Sequence, residues 1–272
     1  MTARMFRGGE EIATVDPGNR GLHYGDGLFE TVRVHGGVLP LWPRHLARLQ
    51  DGARRLGIAV PDIAFLEGRI VEAASACDAG VLKLLLTRGE GGRGYAPPAG
   101  VAPTWMLSLH PLPAMQGALH LHWCLTRLAT QPLLAGIKHC NRLEQVLARA
   151  EVERAGCDEG VVRDAAGDAV GATSANLLVL RGGRWRTPPV DACGVAGVLR
   201  GWLLEQGLAE CADLAAGELE SADALALCNA VRGILPVASL GTRAWAPQPA
   251  VAELQGRLAM VYPMFSEAVG AA

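Results

Sequence analysis

AGIKHCNRLEQVL, residues 135–147, contains one of only two lysines in a chain of 272 residues. The other is Lys83, and the rest of the 25 basic residues are arginine. A plain positive charge is almost always written as arginine here, so Lys138 asks for a role that arginine cannot fill. An amine can lose its proton near neutral pH and act as a nucleophile, whereas a guanidinium cannot. The competing reading, a solvated surface charge, is left open by composition alone.

The surroundings of Lys138 sharpen the question. LHLHWCL (119–125) reads as a strand, and LEQVLARAEVERAG (143–156) reads as an amphipathic helix. Leu143, Val146, Leu147 and Ala150 are expected to face inward, with Gly156 as the stop. Burial between strand and helix, and any positive helix end nearby, would lower the pKa of Lys138 toward the working range.

Outward toward the N-terminus, FETVRVHGGVLPLW (29–42) alternates around HGG and predicts a hairpin. RHLARLQDGARRLGI (44–58) sets Leu46, Leu49, Ala53 and Leu56 on one helical face, with Gly57 ending the helix. AFLEGRIVEAASA (64–76) predicts a second helix. GVLKLLLTR (80–88) and TWMLSLHPL (104–112) predict strands flanking a glycine-rich loop. The proline-rich HPLPAMQGA marks a linker. The expected organisation is a small α+β domain over 1–112, a linker over 113–118, and a larger α+β domain over 119–272 that carries Lys138. In that larger domain 159–189 reads as successive strands with turns at AAGD and RGG. GVAGVLRGWLLEQG (194–207) reads as a helix, SADALALCNAVRGILPVASLG (221–241) as strand, and LQGRLAMVYPMFSEAV (254–269) as a closing helix.

Half of the chain is hydrophobic and the formal charge is −2, which supplies a core but no basic stripe for nucleic acid or anionic membrane. The seven cysteines are scattered without a CxxC, so reduced thiols in the cytoplasm are expected and a zinc knuckle is not. The charged N-terminus lacks the apolar run of a signal peptide, and no stretch is long and apolar enough to span a membrane. The histidines lack ligand spacing, so no metal is expected. GEGGRG (89–94) matches GxGxxG formally. The prolines of YAPPAG forbid the helix that a dinucleotide site requires, and a mobile loop is the reading instead.

Five stretches carry a resemblance when taken together: RGLHYGDGLFETVRVHGG (20–37), HLARL (45–49), GIKHCNRLEQVLARAE (136–151), SANLLVL (174–180) and TPPVDACGVAGVLRG (187–201). In this order they resemble the fold-type IV pyridoxal-phosphate enzymes, the group of D-amino-acid and branched-chain aminotransferases and aminodeoxychorismate lyase. GIKHCNRLEQVLAR, TRGEGGRGY (87–95) and CNAVRGILPV (228–237) look most like the lyase. The resemblance implies a two-lobed fold of the D-amino-acid aminotransferase type, with pyridoxal phosphate in the interdomain cleft, and a homodimer. It makes Lys138 the amine that joins the cofactor aldehyde.

By the same resemblance Arg48 contacts the cofactor phosphate. The helix start supplies backbone N–H groups at Val198 and Leu199, and Gly197 permits close approach. The backbone at Asn229 and Ala230 completes the cup. Tyr24, Lys83 and Arg93 are candidates for the substrate side; for each, a solvent-facing side chain is the alternative. The implied activity is elimination of pyruvate from 4-amino-4-deoxychorismate to give 4-aminobenzoate. The alternatives are an aminotransferase of the same fold or a non-catalytic homologue.

One position departs from the pattern. The family places a glutamate five residues before the asparagine of SAN, facing the pyridine nitrogen, and that position here is Gly171. A local shift of the alignment, a substitute group or water, and altered activity all remain open at this level.

Overall fold

The computed structural model describes residues 3–114 and 117–269, with side chains through residue 266. The chain divides into two compact units, Met1–Leu112 with Ile137–Asn141, and Pro113–Gly136 with Arg142–Ala272. Of the residues 113–118 read as a linker from sequence, 115 and 116 lie outside the described residues.

The first unit contains β1 (Ala3–Arg7), β2 (Glu10–Ile12), α1 (Arg20–Tyr24), β3 (Gly27–His35), α2 (Trp42–Leu56), α3 (Ile63–Ser75), β4 (Ala79–Thr87) and β5 (Thr104–His110). Its antiparallel sheet has the order β2-β1-β5-β4-β3. Strand alternation sends Leu28, Val34, Leu82, Leu84, Leu86 and Trp105 into one core with Leu49, Ala53, Leu66 and Ile70 of α2 and α3. Leu46 and Leu56 pack against its margin, as their helical spacing predicts. Gly57 caps α2 at a φ of 63°.

The hairpin expected over 29–42 does not form. His35 and Val38 make a single bridge around Gly36 and Gly37, and β3 pairs with β4 instead. The returning arm holds Pro40, Leu41 adopts a φ of 62° and Pro43 sits in the first turn of α2, so the chain turns straight into helix. The β1–β2 hairpin and α1 lie in stretches from which no element is read at the sequence level.

The second unit contains β6 (Leu119–Leu128), α4 (Leu143–Arg154), β7 (Glu159–Asp164), β8 (Ala169–Ala172), β9 (Asn176–Arg181), β10 (Arg184–Thr187), α5 (Val198–Glu205), β11 (Glu210–Cys211), α6 (Ala216–Glu220), β12 (Ala224–Asn229), β13 (Gly233–Leu240), β14 (Arg243–Ala244) and α7 (Pro249–Val261), then a 3-10 segment Pro263–Val269. Its sheet runs β11-β10-β9-β12-β13-β6-β7-β8, with β14 on β13. β6 lies parallel to both β13 and β7.

The α4 face is a correction. Leu143, Val146 and Leu147, expected inward, are exposed, and Ala148 and Val152 are buried instead. Small residues let the helix lie close on β6, where Ala148 and Val152 pack with Cys124 and Leu128. Periodicity identifies an apolar stripe but not what covers it.

Candidate active site

In the first unit, the segment carrying Lys138 is stitched to the edge of β3. Phe29 N–H donates to the Lys138 carbonyl at 3.0 Å, and Cys140 N–H donates to the Gly27 carbonyl at 2.9 Å. A side chain at position 27 would press on the Leu86 carbonyl at 2.6 Å and on Cys140 Sγ at 3.3 Å, which explains the glycine of YGDG. Ile137 enters the core of this unit. The lysine therefore belongs with the N-terminal unit, although sequence order had placed it in the larger one.

Lys138 Nζ lies 4.3 Å from the centroid of the Phe29 ring, and Lys83 Nζ lies 5.7 Å from the same ring. An aromatic face attracts a cation and forms an apolar wall beside it. On the opposite face of β3, Glu30 is buried against α2. Arg48 donates to it twice, from Nε at 2.9 Å and from Nη2 at 2.5 Å, and His45 Nδ1 meets it at 2.6 Å. Burial alone would raise the Glu30 pKa; Arg48 and His45 more than offset this and hold it at about 2. Burial lowers the His45 pKa, with Glu30 opposing. At neutral pH Glu30 is thus a carboxylate that fixes the Arg48 guanidinium.

Tyr24 ends α1, with its hydroxyl accepting the Gly94 N–H at 3.3 Å. Arg93 is exposed on the loop between β4 and β5. No helix follows GEGGRG, in keeping with the prolines. The loop is not unattached, because the Arg20 guanidinium binds carbonyls of Gly94, Tyr95 and Ala96.

In the second unit, Gly136 N–H donates to the Gly194 carbonyl and Ala196 N–H donates to the Gly136 carbonyl, both at 3.0 Å. Asn176 Nδ2 donates to the Val195 carbonyl at 3.0 Å. These bonds fix the turn that enters α5. Gly197 is its N-cap without a side-chain cap, so the first-turn N–H groups of Val198 and Leu199 are available to an anion. A Cβ at position 197 would overlap Asn176 Oδ1, so the asparagine of SAN and the glycine before α5 require each other. Asn229 Oδ1 accepts N–H groups of Val231 at 3.1 Å and Arg232 at 2.8 Å, turning the chain after β12 with Ala230 at the bend.

Gly171 sits on β8 opposite Val162. A Cβ built there would meet the Ala175 backbone carbonyl at 3.2 Å, so even a methyl group needs that backbone to give by a few tenths of an ångström. Glu159, at the start of β7, is buried and accepts the hydroxyls of Thr173 and of Ser174, the latter at 2.5 Å. Its carboxylate is engaged in the turn before β9.

Residues 27–240 match the family model described as Amino-transferase class IV. The chain belongs to this family. Class IV amino-transferases are pyridoxal-phosphate enzymes, and the protein is an enzyme of that kind. It is 34% identical to an aminodeoxychorismate lyase from Vibrio harveyi, over 82% of this chain and 86% of the relative. A solved 4-amino-4-deoxychorismate lyase from Pseudomonas aeruginosa matches at 44% identity and a TM-score of 0.87, covering 94% of this chain and 98% of the other. A putative branched-chain-amino-acid aminotransferase from Methanocaldococcus jannaschii is 29% identical over 86% of this chain and 85% of the relative.

The residues present suit the class IV cofactor at two of its ends. Within the first unit, an amine beside an aromatic wall suits the aldehyde; within the second, taken by itself, a helix start with a glycine cap suits a phosphate. Position 171, which the resemblance sets at the ring nitrogen, holds no acid. Glu30, His45, Phe29, Arg20 and Glu159 were missed from sequence. For Glu30 a signal existed, a lone carboxylate on the apolar side of an alternating strand, which calls for a buried partner.

Proposed function

We propose that the protein is a 4-amino-4-deoxychorismate lyase, releasing pyruvate and 4-aminobenzoate on the way to folate. The observation that carries this reading is the 44% identity to the Pseudomonas aeruginosa lyase over 94% of the chain. Pyridoxal phosphate, when bound, supplies an aldehyde that condenses with amines and a ring that draws electron density from the neighbouring carbon.

Lys138 would hold the cofactor aldehyde, and its amine, once free, would be the base at the substrate carbon. It then takes the proton from the substrate carbon that bears nitrogen and returns a proton to the departing enolpyruvate oxygen. One C–H and one C–O bond break, the six-membered ring becomes aromatic, and pyruvate leaves. Arg48, the N–H groups of Val198 and Leu199, the Gly197 cap and the backbone at Asn229 and Ala230 would hold the phosphate. Lys83, Tyr24 and Arg93 receive the substrate carboxylates and ring. Gly171 fits elimination better than reversible amino transfer, because aromatisation drives the reaction and a weaker electron sink suffices. The protein is read as a cytoplasmic homodimer.

An aminotransferase of the same fold is the second reading, favoured by the 29% identity to the Methanocaldococcus jannaschii relative. Purified protein supplied with pyridoxal phosphate and aminodeoxychorismate should release pyruvate stoichiometrically with 4-aminobenzoate. Amino transfer faster than pyruvate release would sink the lyase reading.

A further inference from the structure

We propose that Arg20 is a positioning residue that latches the loop over residues 89–96 and so sets the substrate side of the site; the substrate half of this proposal rests on the lyase reading. Arg20 is 4% exposed although it lies on a helix of only five residues. Its Nε donates to Asp26 Oδ2 at 2.8 Å. Its Nη1 reaches the carbonyls of Gly94 at 3.1 Å and Ala96 at 3.4 Å, and its Nη2 reaches that of Tyr95 at 3.0 Å. Three successive carbonyls converge on one guanidinium, and with no cation between them they would repel one another. Gly94 makes the convergence possible at a φ of 103°. At Gly91 any Cβ would come within 2.9 Å of Arg20 Cδ, so the loop backbone lies directly on this side chain.

The latch is tied at both ends. The Arg20 guanidinium carbon stands 4.8 Å from the Tyr24 ring centroid, and the Tyr24 hydroxyl accepts the Gly94 N–H. Asp26 also binds Arg88, through Nε at 2.7 Å and Nη2 at 3.1 Å. Arg88 continues to the carbonyls of Leu56 at 2.7 Å and Gly57 at 2.6 Å at the end of α2. The loop is held by its backbone, while the side chains of Arg93 and Tyr95 are left exposed. A loop anchored in this way presents Arg93 and Tyr95 in one arrangement beside Tyr24, whose ring packs edge-on against that of Tyr95 at 5.5 Å.

The test pairs proteolysis with kinetics on the holoenzyme of Arg20→Gln. Trypsin should cut after exposed Arg93 about tenfold faster than in wild type, because cleavage follows the population of open loop. KM for aminodeoxychorismate should rise about tenfold with kcat changed less, as expected when a binding contact rather than the chemistry is lost. Arg20→Lys serves if the glutamine variant does not fold. Lysine keeps the charge toward Asp26 but has no planar fork to span three carbonyls, so faster cleavage is expected there too. Unchanged cleavage at Arg93 in a folded variant overturns the latch. Faster cleavage with unchanged KM overturns the role in substrate presentation. If wild type releases no pyruvate, the lyase reading has failed, and cleavage at Arg93 alone still decides the latch.

Discussion

Lys138 Nζ stands 4.3 Å from the centroid of the Phe29 ring. The other lysine of the chain, Lys83, approaches the same ring at 5.7 Å. The register explains this. Phe29 pairs with Leu85 and Thr31 with Lys83, so these four share one face of the sheet, while Leu28, Glu30 and Val32 turn to the other. Lys138 is added to the β3 edge by the Phe29 N–H bond to its carbonyl. The two positions where this chain departs from arginine thus converge on one aromatic side chain.

Lys138→Arg keeps a cation beside Phe29 and removes the amine. The variant should fold with the far-UV spectrum of wild type. Borohydride treatment should leave residue 138 unlabelled, and the absorbance of bound cofactor should shift to that of the free aldehyde. A reduced adduct at any other residue, with full activity, would contradict the assignment.

Glu30→Gln leaves Arg48 and His45 facing a neutral amide in a buried pocket. A loss of about 3–5 kcal/mol at pH 7 is expected, the usual cost of removing one partner from a buried charge cluster. The pH dependence has a definite sign. Glu30 is held at about 2 in the folded protein against an ordinary 4.5, so its contribution is complete above pH 4.5 and is lost as pH falls toward 2. The shift corresponds to about 3 kcal/mol. His45, kept neutral chiefly by burial, adds in the same direction, with stability declining below its ordinary value of 6.5. Denaturant melts should show the gap between wild type and variant closing in acid; a gap constant down to pH 2 would refute this.

Gly171→Glu tests the missing acid. The nearest atom to a Cβ there is the Ala175 carbonyl at 3.2 Å, so a shift of a few tenths of an ångström admits the Cβ. Amino transfer from D- or branched-chain amino acids should rise about tenfold, because a carboxylate beside the ring nitrogen strengthens the electron sink. Pyruvate release should change less. A variant in which both rates are unchanged would mean that another group already serves that nitrogen.

Leu147→Glu tests the exposed face of α4. Leu143, Val146 and Leu147 form an apolar stripe at helical spacing, and stripes of that kind mark association surfaces. In the homodimer reading a second copy covers it. Sedimentation equilibrium should show the variant shifted toward monomer, with the far-UV spectrum of wild type. A variant that stays dimeric would remove this face from the interface.

Much of the architecture was legible along the chain. The α2 stripe and the alternation in β4 and β5 depend on near neighbours. The resemblance carried by HLARL, SAN and the glycine before α5 has a local physical basis as well, since Asn176 and Gly197 exclude any larger pair. Sequence erred where the outcome depended on distant partners. The strand after Glu30 found β4 rather than its own return arm, the Leu face of α4 met no partner within the unit, and the lysine segment joined the edge of β3 across more than a hundred residues. Which residues are chemically capable is a property of side-chain type and spacing, and the sequence determined that by itself. Which carboxylate meets which arginine, and what wall stands beside the amine, was decided only by tertiary structure, because pairings between remote strands and helices leave no period in the chain.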